Sequence, residues 1–302
     1  MNVENLELWK RVAWNGISMR VPSQWEVSSL AKSYLQLDDG TGPVLELKWQ
    51  QVRGVFSHQD HLKKLARHSK AVPGLSFQQT SLPEEWQQAL RHFETQCFEW
   101  QGGEINGKGV VLYCPASKQA SLLQFYQTRG IVDSKVQLGV LDSFRDHCEE
   151  DMVRWSLFGL NALMPKSFDL VRYRFEPGHY QLEFQDRRDC VDLNRWGPAD
   201  LLLKKSDLRH WFEKKCKELN WCRSTSIQED SYHGNPALYG KRRGSDSYSV
   251  RLWAKISRKL PNVWIRIWHL YSQNQIMAVG ARSLKSLDEQ LLEEICRNYD
   301  MA

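Results

Sequence analysis

Apolar and polar positions alternate in several short stretches of the chain, and two of these stretches share one pattern. The first opens at Trp14 and ends at Val21-Pro22, and the second opens at Trp155 and ends at Met164-Pro165. The two tryptophans are 141 residues apart and the two prolines 143. Proline cannot donate to a strand ladder, so each stretch predicts a strand that ends at the proline and turns into another strand.

The same order of further elements follows each opening. Ser57 with Asp60 resembles a capping box at the start of one helix, and Ser206 precedes apolar residues at helical spacing. Alternation of period two then predicts three antiparallel strands in each copy, at residues 97–101, 109–114 and 122–127 and at residues 237–241, 248–256 and 263–271. Each copy closes with a predicted helix, at residues 134–148 and 286–299, and Ser286 with Glu289 forms a capping box in the second.

This repetition predicts how the chain is organised. We expect an α+β protein of two tandem similar domains, residues 1–150 and 151–302, each an antiparallel sheet flanked by helices. The offset grows to 149 residues at the middle helix, from Ser57 to Ser206. That drift predicts an insertion around residues 187–198.

The repeated unit resembles a known superfamily. The opening strand with Val21-Pro22 and Trp25, the middle helix, the meander and the closing run from Val140 to Arg145 are similar to Mog1/PsbP-like proteins, which include the bacterial DcrB type. The resemblance would span nearly the whole chain as two copies, although the second copy departs from the closing pattern at residues 282–292. It implies a sheet flanked by helices and a role in binding or assembly rather than catalysis.

Composition fits a soluble globular protein. Of the 302 residues, 41% are hydrophobic and 25% charged, which excludes a disordered or collagen-like chain. Thirteen tryptophans are spread along the sequence and are expected in the cores, and the seven cysteines form no C-x-x-C pair, so most are expected to be reduced. Neither a signal sequence nor an apolar run of about 20 residues is visible, which predicts a cytoplasmic protein without a membrane role.

The positive charge lies in the second half and suggests a contact surface. The net charge is −1 over residues 1–150 and +6 over residues 151–302. If the strands at residues 248–256 and 263–271 pair, basic and aromatic side chains combine on one face as candidate partner contacts: Arg251, Trp253, Lys255, Trp264, Arg266 and Trp268. Such a face could meet a protein, bind single-stranded nucleic acid by stacking and phosphate pairing, or be covered by a flanking helix.

Two other clusters have simpler explanations than chemistry. The run from Gly102 to Lys108 almost matches a phosphate-binding loop, but Gly109 stands where a magnesium-binding hydroxyl is required, and Asn106-Gly107 predicts a hairpin turn instead. His58, His61 and His68 lie on one predicted helix and are expected on its solvated face. We therefore predict no catalytic set, no cofactor and no metal site.

The function predicted from the sequence is a non-catalytic cytoplasmic binding or scaffolding protein whose partner is another protein. One alternative is a single-stranded nucleic-acid-binding protein that uses the basic and aromatic face of the second domain. Another is an enzyme with its site at the domain junction, for which convergent carboxylates or histidines would be the signature. The sequence does not specify the oligomeric state.

Overall fold

The computed structural model describes residues 9–70, 74–103, 105–128, 133–146, 151–187, 189–204, 206–218, 225–244 and 260–301. Contacts divide the chain into two compact units, residues 1–161 and 162–301. The second predicted repeat begins at residue 151, one strand before this division. The predicted domain limits, 1–150 and 151–302, follow the repeat and remain a prediction.

The first unit is built on a seven-stranded antiparallel sheet. Its sheet strands in chain order are β3 (Glu26–Ala31), β4 (Tyr34–Asp38), β5 (Pro43–Gln51), β6 (Leu75–Thr80), β7 (Glu94–Gly102), β8 (Ile105–Cys114) and β9 (Gln119–Thr128). In space their order is β3-β4-β5-β9-β8-β7-β6. A separate hairpin, β1 (Trp9–Trp14) and β2 (Ile17–Pro22), pairs through β1 with β10 (Met152–Leu157). The helices are α1 (His58–Lys70), α2 (Glu84–Ala89) and α3 (Ser134–Ser143).

The second unit has a seven-stranded antiparallel sheet of its own. Its sheet strands are β12 (Asp169–Glu176), β13 (His179–Asp186), β14 (Asp189–Trp196), β15 (Ser226–Tyr232), β16 (Asn235–Arg242), β17 (Asn262–Leu270) and β18 (Gln275–Ser283). Two further strands, β11 (Leu160–Pro165) and β19 (Asp300–Met301), pair with each other. The helices are α4 (Ala199–Leu202), α5 (Leu208–Glu218), a 3-10 turn (Tyr271–Gln273) and α6 (Glu289–Arg297).

The two sheets have the same strand order, which confirms the predicted α+β duplication. The second sheet runs β12-β13-β14-β18-β17-β16-β15, the counterpart of the first strand by strand. The first strand of each sheet, which lies at its edge, has a shift in strand register at the equivalent place. The shift falls between Val27 and Ser29 in β3 and between Leu170 and Arg172 in β12. A bulge on an edge strand hinders pairing with another sheet.

Two predictions about the strands of the second copy are wrong. The proposed insertion at residues 187–198 contains β14, a central strand that pairs on both sides. Its polar residues Asp192 and Asn194 interrupt the apolar pattern that would have identified it as a strand. Moreover, β17 is paired on one side with β16 and on the other with β18, so neither of its edges is open to residues 248–256. Those residues lie outside the described part of the chain.

The hairpin between β7 and β8 turns earlier than predicted. Gly102 and Ile105 face each other across the strands, so the turn begins at Gly103, which has a φ of 62°. Gly107 lies inside β8 opposite Trp100, and a Cβ there would meet the indole ring at 2.3 Å. Gly107 is therefore required by close packing, and the predicted Asn106-Gly107 turn is wrong.

Each sheet carries helices that bury its apolar side chains. In the first unit, Leu62 of α1 packs with Phe98 and Val111 of the sheet, whereas Trp86 of α2 contacts Phe125, which points to the opposite face. In the second unit, a larger cluster joins α4 and α5 to the sheet through Trp196, Ala199, Leu208, Trp211, Phe212, Leu238, Ile265, Ile267, Ile276 and Ala278.

The closing motif of the first copy has a structural role. Phe144 is fully buried, and the Ser143 hydroxyl accepts a 2.9 Å hydrogen bond from the backbone N–H of Arg20 in β2. Arg145 and Ser18 exchange two backbone hydrogen bonds of 2.8 Å. The motif therefore fastens the end of α3 to β2.

Helix starts agree with the predictions only in part. The Ser57 hydroxyl accepts from the backbone N–H of Asp60 at 3.2 Å, as expected for α1. In α6, however, Asp288 rather than Ser286 is the cap, since its carboxylate accepts from the N–H groups of Gln290 and Leu291 at 3.1 Å. No helix among the described residues is both long and apolar enough to cross a membrane.

Most of the described cysteines are free thiols, as expected. They are Cys97, Cys114, Cys190 and Cys296. Cys216, on α5, is disulfide-bonded. Burial raises the pKa of the Cys97 thiol to about 12, so that thiol is not activated as a nucleophile at neutral pH.

Candidate functional site

Three of the six predicted contact residues are placed by the structure. Trp264, Arg266 and Trp268 share one face of β17, as the alternation requires. The other three, Arg251, Trp253 and Lys255, lie outside the described residues. The combined surface was predicted from a strand pairing that the positions of β16 and β18 exclude.

Arg266 is enclosed by acidic and aromatic side chains. Its guanidinium donates to the carboxylate of Glu293 on α6 and lies 3.5 Å from Asp230 on β15. The same group lies over the ring of Tyr232, with 4.9 Å from Cζ to the ring centroid. Burial by itself lowers the pKa of Arg266, but the hydrogen bond and charge of Glu293, with Asp230 adding to them, leave it raised.

The flanking tryptophans belong to the core of the second unit. Trp264 is 0% exposed and Trp268 only 4% exposed. Trp268 meets Tyr299, just beyond α6, edge to face with 6.0 Å between ring centroids. Because α6 and the segment after it cover this face, the rings of Trp264 and Trp268 are not open for a base or a partner to stack on. Of the alternatives stated for this face, the one in which a flanking helix covers it fits the geometry.

An open groove lies instead in the first unit, between α1 and the sheet. A cavity of about 260 Å³ is lined by Lys48, Trp49, Gln50, His61, Lys64, Leu65, Val111, Ala120, Ser121 and Leu122. A second cavity of about 390 Å³ adjoins it along the loop before α1 and shares three of these residues, Gln50, His61 and Lys64. Together they form the α1 groove.

The floor of the α1 groove is apolar. Val111 of β8 and Leu122 of β9 face each other in the strand register and point to the same side of the sheet. Leu65 of α1 is half-buried against this cluster. An apolar side chain of a ligand would lose its water shell against these aliphatic side chains.

The rim of the α1 groove is mainly cationic. Lys64 of α1 and Lys48 of β5 line the first cavity, and Arg53 lines the second. Lys64 and Arg53 are exposed, and His61 is half-buried beside them. Asp60 is the acidic residue among the side chains that line the two cavities.

A buried carboxylate holds the Lys48 side of the rim. Glu46 is 7% exposed and accepts a 2.6 Å hydrogen bond from the phenol of Tyr126 and a longer one, 3.3 Å, from Gln124. Lys48 forms an ion pair with Glu46, and its ammonium lies 5.4 Å from the ring centroid of Tyr34. Burial and the hydrogen bond to Glu46 raise the pKa of Tyr126, so its phenol remains protonated and donates.

Ring stacking and hydrogen bonds fix the start of α1. Phe56 stacks on Tyr113 of β8 with 4.6 Å between centroids, and its ring also contacts His58 and His61. The His58 and His61 rings lie within hydrogen-bonding distance of the carbonyls of Glu94 and Ser57, at 3.0 and 3.1 Å. These two histidines therefore hold the helix in place rather than facing solvent freely.

The sequence predicts no metal site, and this remains a prediction. Among the residues that the structure describes, no three His, Cys, Asp or Glu side chains are grouped so that they could hold a metal ion. The side chain of His68, the third histidine predicted on this helix, is not among those that the structure describes.

Sequence analysis missed the α1 groove, although one signal pointed to it. Residues 58–70 carry a formal charge of +3 from four basic residues and one acidic residue, within a half of the chain whose net charge is −1. A basic helix in an otherwise acidic segment is a pattern typical of an interaction surface. The floor joins Leu65 of α1 to Val111 and Leu122 of the β8–β9 hairpin, which is distant in the sequence, and could not be recognised from local periodicity.

Comparison with known proteins gives matches among solved structures only. No family model and no curated protein sequence matches the chain. The Ran-binding protein Mog1p of Saccharomyces cerevisiae is 15% identical, with a TM-score of 0.32 over 50% of this chain and 95% of that one. The immunity protein TplEi of Pseudomonas aeruginosa is 6% identical, with a TM-score of 0.31 over 97% of both chains.

A protein from Bacteroides thetaiotaomicron is also similar, with 10% identity and a TM-score of 0.32 over 84% of this chain and 95% of that one. Mog1 proteins, which the sequence is predicted to resemble, are among the solved structures that are similar to the chain at these low TM-scores. None of these similarities says what the present chain binds.

Proposed function

We propose that the protein is a binding protein that holds another protein in the α1 groove of its first unit. The observation that carries the proposal is the combination of an apolar floor, made by Leu65, Val111 and Leu122, with a rim of Lys48, Lys64 and Arg53. Interfaces of this kind combine an apolar centre with a polar rim that remains in water. A cytoplasmic location, as the sequence predicts, is part of the proposal.

The burial of the β17 face directs the proposal to the first unit. Arg266 is 12% exposed and is neutralised by Glu293 and Asp230, so this face offers a partner neither free charge nor free rings. The proposal includes a scaffolding role, in which the second unit also takes part in binding. The nucleic-acid and enzyme alternatives gain no support from the described residues.

Site-specific crosslinking in cells tests the proposal. Val55 is fully exposed and lines the second cavity of the α1 groove. A photo-crosslinking amino acid at this position would therefore capture a protein that occupies the groove. Val171, on the edge strand β12 of the second unit, is 51% exposed and serves as the matched control position. We expect a protein adduct from position 55 that is absent from position 171.

The charge of the rim provides a second control. Lys64→Glu, introduced together with the crosslinker at position 55, should weaken the adduct, since it reverses a charge beside the floor. Lys63→Glu makes the same change on the exposed side of α1, where the residue lines neither cavity, and should leave the adduct intact. Absence of any protein adduct at position 55, or equal adducts at 55 and 171, would refute the proposed function.

A further inference from the structure

The α1 groove also indicates the chemistry of its partner. Resting on the proposed function, we propose that the groove binds an acidic peptide segment in which one apolar side chain is flanked by aspartate or glutamate. The apolar residue would enter the floor between α1 and the sheet, and the flanking carboxylates would meet the cations of the rim.

Charge complementarity is the first argument for an acidic partner. Without residues 58–70 the net charge of residues 1–150 changes from −1 to −4, so α1 is the basic element of an acidic half. Arg53 adds a further positive charge at the second cavity, whereas Lys48 lines the first cavity with its charge paired to Glu46. Opposite charges at a rim raise the association rate and suppress partners of the wrong sign.

The arrangement of the polar groups is the second argument. Glu46 pairs with Lys48 from its buried position, which fixes the lysine beside the groove instead of leaving it to sample solvent. Gln50 lines both cavities and can donate an amide hydrogen bond to a carboxylate or a backbone carbonyl of the ligand. A lysine held in place beside an amide gives a peptide carboxylate two hydrogen-bond donors at the rim.

The aromatic rings favour a peptide over a nucleic acid. Single-stranded nucleic acids bind through rings on which the bases stack. Of the ring side chains that line the groove, Trp49 is 5% exposed, Phe56 is stacked on Tyr113, and His61 is in contact with Phe56. These rings are thus packed against other groups of the fold, and the other apolar side chains that line the groove are aliphatic, among them Leu65, Val111 and Leu122.

Selection of binding sequences from a random peptide library on phage tests the proposal directly. The whole protein is immobilised, and the enriched peptides are then measured by fluorescence anisotropy against wild type, Lys64→Glu and Lys63→Glu. We expect enriched peptides with at least two acidic residues around an aliphatic or aromatic one. Their affinity should fall about fivefold or more in Lys64→Glu, because a favourable exposed charge pair is replaced by repulsion, and should change less than twofold in Lys63→Glu.

Each other outcome overturns the inference. Enriched peptides that are neutral or basic, acidic peptides that bind Lys64→Glu as well as wild type, or no enrichment at all would each exclude an acidic ligand in the groove. Single-stranded RNA that binds and is lost in Lys64→Glu but not in Lys63→Glu would replace the peptide by a nucleic acid. A protein adduct at position 55 alongside a failed selection would overturn only this inference, whereas loss of the adduct would overturn the proposed function.

Discussion

The phenol of Tyr126 donates a 2.6 Å hydrogen bond to Oε2 of Glu46, across two neighbouring strands of the first sheet. The other oxygen of the same carboxylate pairs with Lys48 at the rim of the α1 groove. A buried charge is tolerated only when it is paired and hydrogen-bonded. This relationship therefore connects the stability of the first sheet to the placement of a cation in the proposed binding site.

Removal of the phenol in Tyr126→Phe should destabilise the protein. Glu46 would lose one hydrogen-bond donor while remaining buried, and a buried acceptor left without its donor costs about 1–3 kcal/mol. Urea unfolding followed by tryptophan fluorescence measures the free energy of unfolding. Tyr271→Phe, at a tyrosine that is 62% exposed, should change it by less than about 0.5 kcal/mol, and equal effects of the two changes would contradict this role for Tyr126.

Gly107→Ala should destabilise the first sheet through a steric clash. The new methyl group would meet the Trp100 indole at 2.3 Å, and over-packing of this kind costs about 1–3 kcal/mol. In the Trp100→Leu background, the same change should cost much less, because the ring that causes the clash is gone. If the two substitutions change the free energy of unfolding additively in this double-mutant cycle, the clash with Trp100 is not the cause of the destabilisation.

Arg266→Ala should lower the free energy of unfolding by about 1 kcal/mol, since its two acidic partners are partly exposed. The variant loses the ion pairs with Glu293 and Asp230, whose side chains are 38% and 34% exposed, together with the packing of the Arg266 side chain, which is 12% exposed. Arg172→Ala is the control, since Arg172 is 74% exposed and lies 3.7 Å from its partner Glu183. If Arg266→Ala unfolds at the same urea concentration as wild type, the β17 face is open rather than covered.

Asp192 should make stability depend on pH in an unusual direction. Burial raises its pKa to about 6, although the charge of Arg282 opposes this, whereas the carboxyl in the unfolded chain has a pKa of about 3.9. Between these values the folded state holds more protons than the unfolded chain, so this residue's contribution to stability falls as pH rises from about 4 to 6.

The variant Asp192→Asn isolates that contribution. The free energy of unfolding of the variant minus that of wild type should increase by about 2 kcal/mol between pH 4 and pH 7, since one pKa unit corresponds to about 1.4 kcal/mol. Chemical unfolding at a series of pH values measures this difference. A difference that is constant over the range would mean that the pKa of Asp192 is the same in the folded and unfolded states.

The sequence by itself determined the elements whose signal is local. Alternation identified β7, β8 and β9, and helical spacing identified α1, α3, α5 and α6, because within each element the apolar side chains of one face recur at a fixed interval. The repeated Trp14 and Trp155 patterns gave the duplication, which the identical order of the two sheets confirms. These features survive in a linear sequence because they depend on neighbours within a few residues.

Tertiary structure alone decided the elements and surfaces that depend on distant segments. β18 is buried on both faces, so it has no alternation to detect, and the polar residues that hid β14 are satisfied by partners on other strands: Arg282 for Asp192 and His179 for Asn194. Whether the Arg266 face is covered depends on α6, and the α1 groove exists only where β5, β8 and β9 meet α1. Periodicity shows which side chains share a face, but only long-range packing determines what lies against that face.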